Sequence, residues 1–311
     1  MSKEPAVRLP PVEQIGIVVR DVDQAVEFFT STIGWGPFKI REGEQKGFTY
    51  DGRTGDCRLK MAFARSGSVE IELIQVLEGE TPHSDFLRRH GEGMQHLRFR
   101  VNDFDGMIAA LGKAGVDPLW HQKIPGIAAF AYMKNDKTSG LMVELFERKE
   151  SKEGRAGTRT PAGQSSTTLP PVHQIGLVVR DLEKAAAFYH STFGIGPFSI
   201  VPKMRFDGII LRGQPTDSKV KLGFADSGPL QIELIQPLEG ENIYTEFLRS
   251  GNEGLHHLGF EVDNFEGMLA KFERQGIEPL FWKNFGSMAF AYLDTGKIGG
   301  VIVELLWHQR S

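Results

Sequence analysis

The sequence predicts an α+β chain built from four βαβββ modules, paired into two homologous domains whose sheets are concave. Three observations carry that prediction. The chain repeats itself: LPPVEQIGIVVRD at 9–21 and LPPVHQIGLVVRD at 169–181 agree at 11 of 13 positions, and GWGPF, IELIQ, EGMQHL, FAY and VEL each return, whole or nearly so, 160 or 161 residues later. Its 311 residues, 40% of them hydrophobic, suit two domains with a core each. Within each half, strand-period and helix-period segments follow one another in the same order twice.

In the first half, QIGIVV reads as a strand. DVDQAVEFFTSTIG then reads as one amphipathic helix, with Asp21 as N-cap, apolar residues at Val22, Ala25, Val26, Phe29 and Ile33, and Gly34 as the stop. Three strand-like runs follow near 47–51, 58–64 and 69–76, separated by turn-prone Gly, Asp and Ser. After a short helix with Pro82 in its first turn, the pattern restarts with the strand MQHLRFRV. The helix NDFDGMIAALGKAG carries Phe104, Met107, Ile108 and Leu111 on one face and ends at Gly115. Strands near 119–121, 128–133 and 141–146 complete the second module. The domains are thus expected at 9–148 and 169–308. The polar, Gly/Ser/Thr-rich stretch 149–168 reads as a flexible linker, which as a coil would span roughly 25 Å and let the halves pack face to face.

Bulk properties exclude several partners. A net charge of −4 with scattered basic residues gives no footprint for nucleic acid. No run of 18 apolar residues and no charged-then-apolar leader is seen, so neither a membrane span nor a signal peptide is expected. Cys57 is the only cysteine, which suits a reducing, cytoplasmic setting. The expected partner is a small-molecule substrate, and the expected particle a two-domain monomer or a homodimer.

Polar residues planted in apolar strands carry the chemistry. Strand side chains alternate, so Gln14, Gly16 and Val18 share the concave face while Ile15, Ile17 and Val19 face the helices. Glu72 sits in VEIELIQ, His96 in MQHLRF and Glu144 in LMVELF; Gln174, Glu233, His257 and Glu304 repeat them. A buried carboxylate costs several kcal/mol unless compensated, and a metal ion is a strong compensator. One amide oxygen, two carboxylates and one imidazole per half suit one divalent ion per site, such as Zn, Co, Ni, Mn or Mg, with positions left for water or substrate. All four positions persist while flanking ones drift, as Ile17 to Leu177 and Met94 to Leu255.

Four βαβββ modules with ligands on the first strand, on an ELI strand, in an HHL strand and in a terminal VEL strand resemble the vicinal oxygen chelate superfamily over both halves. More narrowly, EFLRSGNEGLHHLGFEVDNFEGMLAKFERQGIEPL (246–280) and AFAYMKNDKTSGLMVEL (129–145) resemble methylmalonyl-CoA epimerases. Those epimerases usually have His as first ligand, where this chain has Gln in both halves. His173, one residue out of register, is expected to point to the opposite face. The Gln/Glu/His/Glu set is similar to that of eukaryotic glyoxalase I, but that family's glutathione-holding Arg, Asn and Arg correspond here to Val18 or Val178, Val76 or Pro237, and Glu92 or Glu253. Extradiol dioxygenases of the superfamily use two His and one carboxylate for iron, and Gln at one His position speaks against that chemistry.

The resemblance implies a metal-dependent isomerase or epimerase that removes a proton next to a carbonyl, in an acyl thioester or small oxo compound, through a metal-stabilised enolate. Glu144 or Glu304 would be the base, and Glu72 or Glu233 would return the proton. The alternatives are a non-catalytic small-molecule binding protein of the same fold, a glyoxalase-type lyase, or a ring-cleaving dioxygenase. The halves differ beyond the histidine: Arg98 and Arg100 in the first, Gly259 and Glu261 in the second. Arg98 would bind a substrate carboxylate or phosphate, or else pair with a carboxylate of a site that no longer works. Phe130, Phe290, Phe99 and Phe260 would line an apolar pocket or simply fill the core. A site completed within one half and a site that joins Gln14 and Glu72 to His257 and Glu304 both remain open.

Overall fold

The computed structural model describes residues 4–149 and 169–309; the expected linker falls almost wholly outside them. The first half runs β1 (Gln14–Val18), α1 (Val22–Phe28), β2 (Lys39–Tyr50), β3 (Arg53–Ser66), β4 (Val69–Glu78), α2 (Pro82–His90), β5 (Gly93–Arg100), α3 (Phe104–Lys113), β6 (Pro118–Ile124), β7 (Ala128–Met133) and β8 (Met142–Arg148). The second repeats it as β9 (Gln174–Val178), α4 (Leu182–Phe188), β10 (Ser199–Leu211), β11 (Gln214–Ser227), β12 (Leu230–Glu239), α5 (Ile243–Arg249), β13 (Gly254–Glu261), α6 (Phe265–Glu273), β14 (Pro279–Asn284), β15 (Met288–Leu293) and β16 (Ile302–His308). Each half is therefore two βαβββ modules, as the sequence predicts. The modules close into an eight-stranded barrel, in the order β1-β4-β3-β2-β6-β7-β8-β5 for the first.

Local signals account for most of the boundaries. The Asp21 carboxylate accepts from the backbone N–H of Asp23 and Gln24 and starts α1, and Thr81 and Ser84 form a capping box at α2. Two elements differ from expectation. The helix after β1 ends in a widened π turn, Phe29–Ile33, before Gly34 at φ 86°. The strand expected at 47–51 begins already at Lys39; its first eight residues are largely exposed and carry no apolar alternation by which the sequence would show them.

The helix-side faces of both halves share one continuous core. Ile15, Ile17 and Val19 pack there with Val22, Ala25 and Phe29, as do Ile175, Leu177 and Val179. Reciprocal bonds join the barrels: Val12 N–H donates to Ser227 Oγ and Val172 N–H to Ser66 Oγ, each at 3.0 Å. The loops before β8 and β16 also abut the opposite half. A Cβ on Gly140 would lie 1.9 Å from the Glu253 carbonyl oxygen, and one on Gly300 1.9 Å from that of Glu92, just ahead of β13 and β5.

A bulge interrupts the histidine strands. In β13 the register against β9 slips between Leu255, opposite Leu177, and His257, opposite Gly176; β5 does the same between Met94 and His96. The extra residue, His256 or Gln95, is therefore buried beside the histidine rather than alternating away from it. The histidine ring lies flat on the facing glycine: a Cβ on Gly176 would sit 1.8 Å from His257 Cε1, and one on Gly16 1.8 Å from His96 Cε1. Gly176→Ala and Gly16→Ala should each lower stability by about 1–3 kcal/mol, the usual range for overpacking, as read from urea unfolding. Gly43→Ala, with nothing within 4 Å of the new methyl, should stay within about 0.5 kcal/mol of wild type.

Candidate metal centre

Four successive strands of the second barrel, β12, β9, β13 and β16, each contribute one inward polar side chain: Glu233, Gln174, His257 and Glu304. All four are buried. Glu233, His257 and Glu304 place one donor atom each within 4.8 Å of one another, and among the described residues no second trio of His, Cys, Asp or Glu is so tight. His257 Nε2 lies 3.1 Å from Glu304 Oε2 and 3.5 Å from Glu233 Oε2, yet is aimed so that it forms no hydrogen bond. The tip of Gln174 lies 3.2 Å from Glu304 Oε2 and 3.3 Å from Glu233 Oε2. Turned one way, its NH2 donates to both carboxylates. Turned the other, Oε1 joins them as a third oxygen while Nε2 donates to Gln231 Oε1 at 2.7 Å. Three oxygens and an unpartnered imidazole nitrogen converging in a buried space fit a divalent cation, which would select the second orientation.

The electrostatics agree. Burial pulls the His257 imidazole down, but Glu304 and Glu233 outweigh it and push it up to about 9. Glu233 is held above the ordinary carboxylate range by burial, which outweighs the pull of His257 and is reinforced by Glu304. The other ring nitrogen of His257 is 3.1 Å from His256 Nδ1, the kind of contact that orients a ligating imidazole.

Gln174, Glu233 and Glu304 of this cluster line a cavity of about 310 Å³, with Met204, Phe206, Leu222, Phe224, Phe290 and Leu306 as apolar walls. The Tyr244 hydroxyl donates to that of Tyr292 at 2.8 Å, and both line the cavity. Burial, with Glu304 next, keeps both phenols protonated.

The first barrel assembles the equivalent residues, Gln14, Glu72, His96 and Glu144, from β1, β4, β5 and β8, so each set comes from a single half. His96 Nε2 is 3.3 Å from Glu144 and 3.6 Å from Glu72. Burial opposes the charge on His96, but Glu144 and Glu72 raise it. The surroundings differ. Gln14 Nε2 donates to Glu70 at 2.7 Å; Arg98 bonds the same carboxylate at 3.0 Å, lies 3.3 Å from Glu13 and stacks 4.9 Å from the Phe146 ring centroid. His83 and Trp120 fill the interior in T-shaped contact, where the second half has Tyr244 and Phe281.

Of the phenylalanines singled out, Phe290 lines the cavity, Phe130 lies inside the first barrel, and Phe99 and Phe260 belong to the helix-side core. His173, expected on the opposite face, borders the site's cavity. It directly precedes β9, and its backbone bonds Gly259 on one side and Gln231 on the other, each at 2.9 Å. Sequence reading missed His256, Tyr244 and Tyr292. The doubled histidine in GLHHL was a visible sign of the bulge; the tyrosines are legible only once β15 is paired with β16, which sets Tyr292 opposite Glu304.

Binding of a divalent ion to the folded chain should show as stabilisation. Mn²⁺ at a hundred times its dissociation constant should add about 2.7 kcal/mol to the unfolding free energy, and His257→Ala should lose that gain. An unfolding midpoint unmoved by Mn²⁺, Zn²⁺ and Co²⁺ would remove the case for a metal.

Comparison with known proteins places these features. The Glyoxalase/Bleomycin resistance protein/Dioxygenase superfamily pattern matches twice, at residues 13–132 and 173–292. Mitochondrial methylmalonyl-CoA epimerase from Mus musculus is 27% identical over 155 residues, covering 47% of this chain and 80% of the epimerase. The Homo sapiens epimerase is 28% identical over 141 residues, covering 44% and 73%. A mutant 4-hydroxymandelate synthase from Streptomyces coelicolor shares the fold with a TM-score of 0.64 at 16% identity, covering 97% of this chain and 94% of that one. The Mn(II)-bound glyoxalase from Novosphingobium aromaticivorans does so at 0.51 and 14%, covering 97% and 83%. No helix among the described residues is long and apolar enough to cross a membrane. With both repeats matched over most of their length, the chain belongs to the Glyoxalase/Bleomycin resistance protein/Dioxygenase superfamily.

Proposed function

We propose that the second half is the active unit of a metal-dependent isomerase or epimerase, which removes a proton from a carbon next to the carbonyl of an acyl thioester or small oxo compound. The observation that carries this reading is the Glu233/His257/Glu304 cluster, whose two carboxylates, with Gln174, line an apolar cavity. The epimerase relatives support the reaction class. A divalent ion held by these four residues would stabilise the negative charge that develops on the substrate oxygen, a contribution of several kcal/mol.

The chain's own groups then divide the work. Glu304 takes the proton and Glu233, on the other side of His257, returns one; two carboxylates flanking the reacting carbon are what inversion at that carbon needs. Tyr292 receives the Tyr244 hydroxyl proton in a hydrogen bond, which leaves its own proton to donate to a substrate oxygen. The apolar walls exclude water from the carbanion-like centre. At about 310 Å³ the cavity is at the small end for ligand pockets, so it suits the acyl portion, with any nucleotide handle lying outside.

The test is solvent exchange. Metal-loaded protein in D2O should exchange the α-hydrogen of methylmalonyl-CoA well above the uncatalysed rate. Glu304→Gln should lower that rate by about 10²–10⁴, the usual worth of a positioned acid or base, while Glu144→Gln leaves it near wild type. No exchange by the loaded protein with this or other small acyl thioesters would overturn the reading, and equal losses in both variants would overturn the assignment to the second half.

A further inference from the structure

We infer that the substrate carries an uncharged apolar group, aryl or branched alkyl, on its reacting carbon; this rests on the proposed function and names the substrate class within it. Size and shape come first. A cavity of about 150 Å³ lined by Leu, Ile and Phe is enough to take up benzene. At about 310 Å³, the cavity of the second half has room for a phenyl ring and a short acyl unit beside the carboxylates. Phe206 meets Phe290 edge to face at 5.5 Å between ring centroids. The aromatic wall continues outward through Phe285, which is 41% exposed and whose ring lies 6.3 Å from that of Phe206 and 6.2 Å from that of Phe290. Rings set edge to face in this way favour a further ring between them.

Charge decides the class. Among the described residues that line the cavity there is no lysine or arginine; besides Glu233, Glu304 and the two tyrosines, its ionisable residues are His173, half-buried, and His308, exposed. A carboxylate on the substrate would face two carboxylates, and a divalent ion held there has its two charges already matched by them. An anion placed in an apolar space without a partner is costly, whereas a ring or a branched alkyl group gains from the same walls. The two halves differ in the same sense. Beside Gln14 the strand register sets Glu70 and Arg98; beside Gln174 it sets Gln231 and Gly259. Glu13, which pairs with Arg98, gives way to His173. A Cβ on Gly259 would already lie 3.2 Å from Cδ1 of Leu306, a wall residue, so a long cationic side chain there would crowd the apolar wall. The half with this cavity is thus the half without fixed charges around its glutamine.

Binding tests this without turnover. Mn²⁺-loaded chain, titrated calorimetrically with N-acetylcysteamine thioesters, should bind the 2-methyl-3-phenylpropanoyl compound about 10- to 100-fold more tightly than the methylmalonyl compound, the worth of burying one phenyl group. The 2-methylbutanoyl compound should fall between them. Met204 lines the cavity and is half-buried. Met204→Trp, which fills the cavity, should abolish the preference, and Met204→Lys, which adds a cation to the wall, should move it toward the methylmalonyl compound. Equal or tighter binding of the methylmalonyl compound by wild type overturns the inference, as does a phenyl preference that survives Met204→Trp; the wild-type comparison stands if either variant fails to fold. Exchange of the α-hydrogen is read separately on the same compounds. A chain that binds the aryl thioester most tightly yet exchanges none of them sinks the proposed function and leaves the preference standing. One that binds and exchanges the methylmalonyl compound best keeps the function and overturns the inference.

Discussion

Each barrel of this protein must solve one electrostatic problem: two carboxylates and an imidazole are buried against one another where water cannot screen them. The strand order bears on it by bringing four polar side chains onto four adjacent strands, two from each module. The bulge in β5 and β13 and the glycines opposite it answer the steric part, since the imidazole needs a flat, side-chain-free neighbour.

Much of this was legible in the sequence because the repeat displays it twice. Gln14, Glu72, His96 and Glu144 stand out as polar residues in apolar strands, and their return at Gln174, Glu233, His257 and Glu304 separates them from chance. The βαβββ order was legible for the same reason that helix caps and glycine stops are: local chemistry sets them. The full length of β2 was not, because a solvated strand has no apolar alternation.

What stayed hidden depends on register. Strict alternation puts His256 and Gln95 on the wrong face, and only the bulge corrects it. Arg98 was visible as an asymmetry, but its partners Glu13 and Glu70 lie on or beside other strands, and nothing in a linear sequence says that Glu70 bonds both Arg98 and Gln14. Likewise Tyr292 reads as one aromatic in FAY until pairing sets it opposite Glu304.

The glycine contacts between the halves carry a mechanical consequence. Gly140, which leads into the first half's Glu144 strand, presses on the backbone just before the second half's His257 strand, and Gly300 presses in the same way before the His96 strand. Each imidazole strand is therefore propped by the other barrel. Each half is thus a mould for its twin, and deleting one would slacken the other's buried cluster rather than merely shorten the chain.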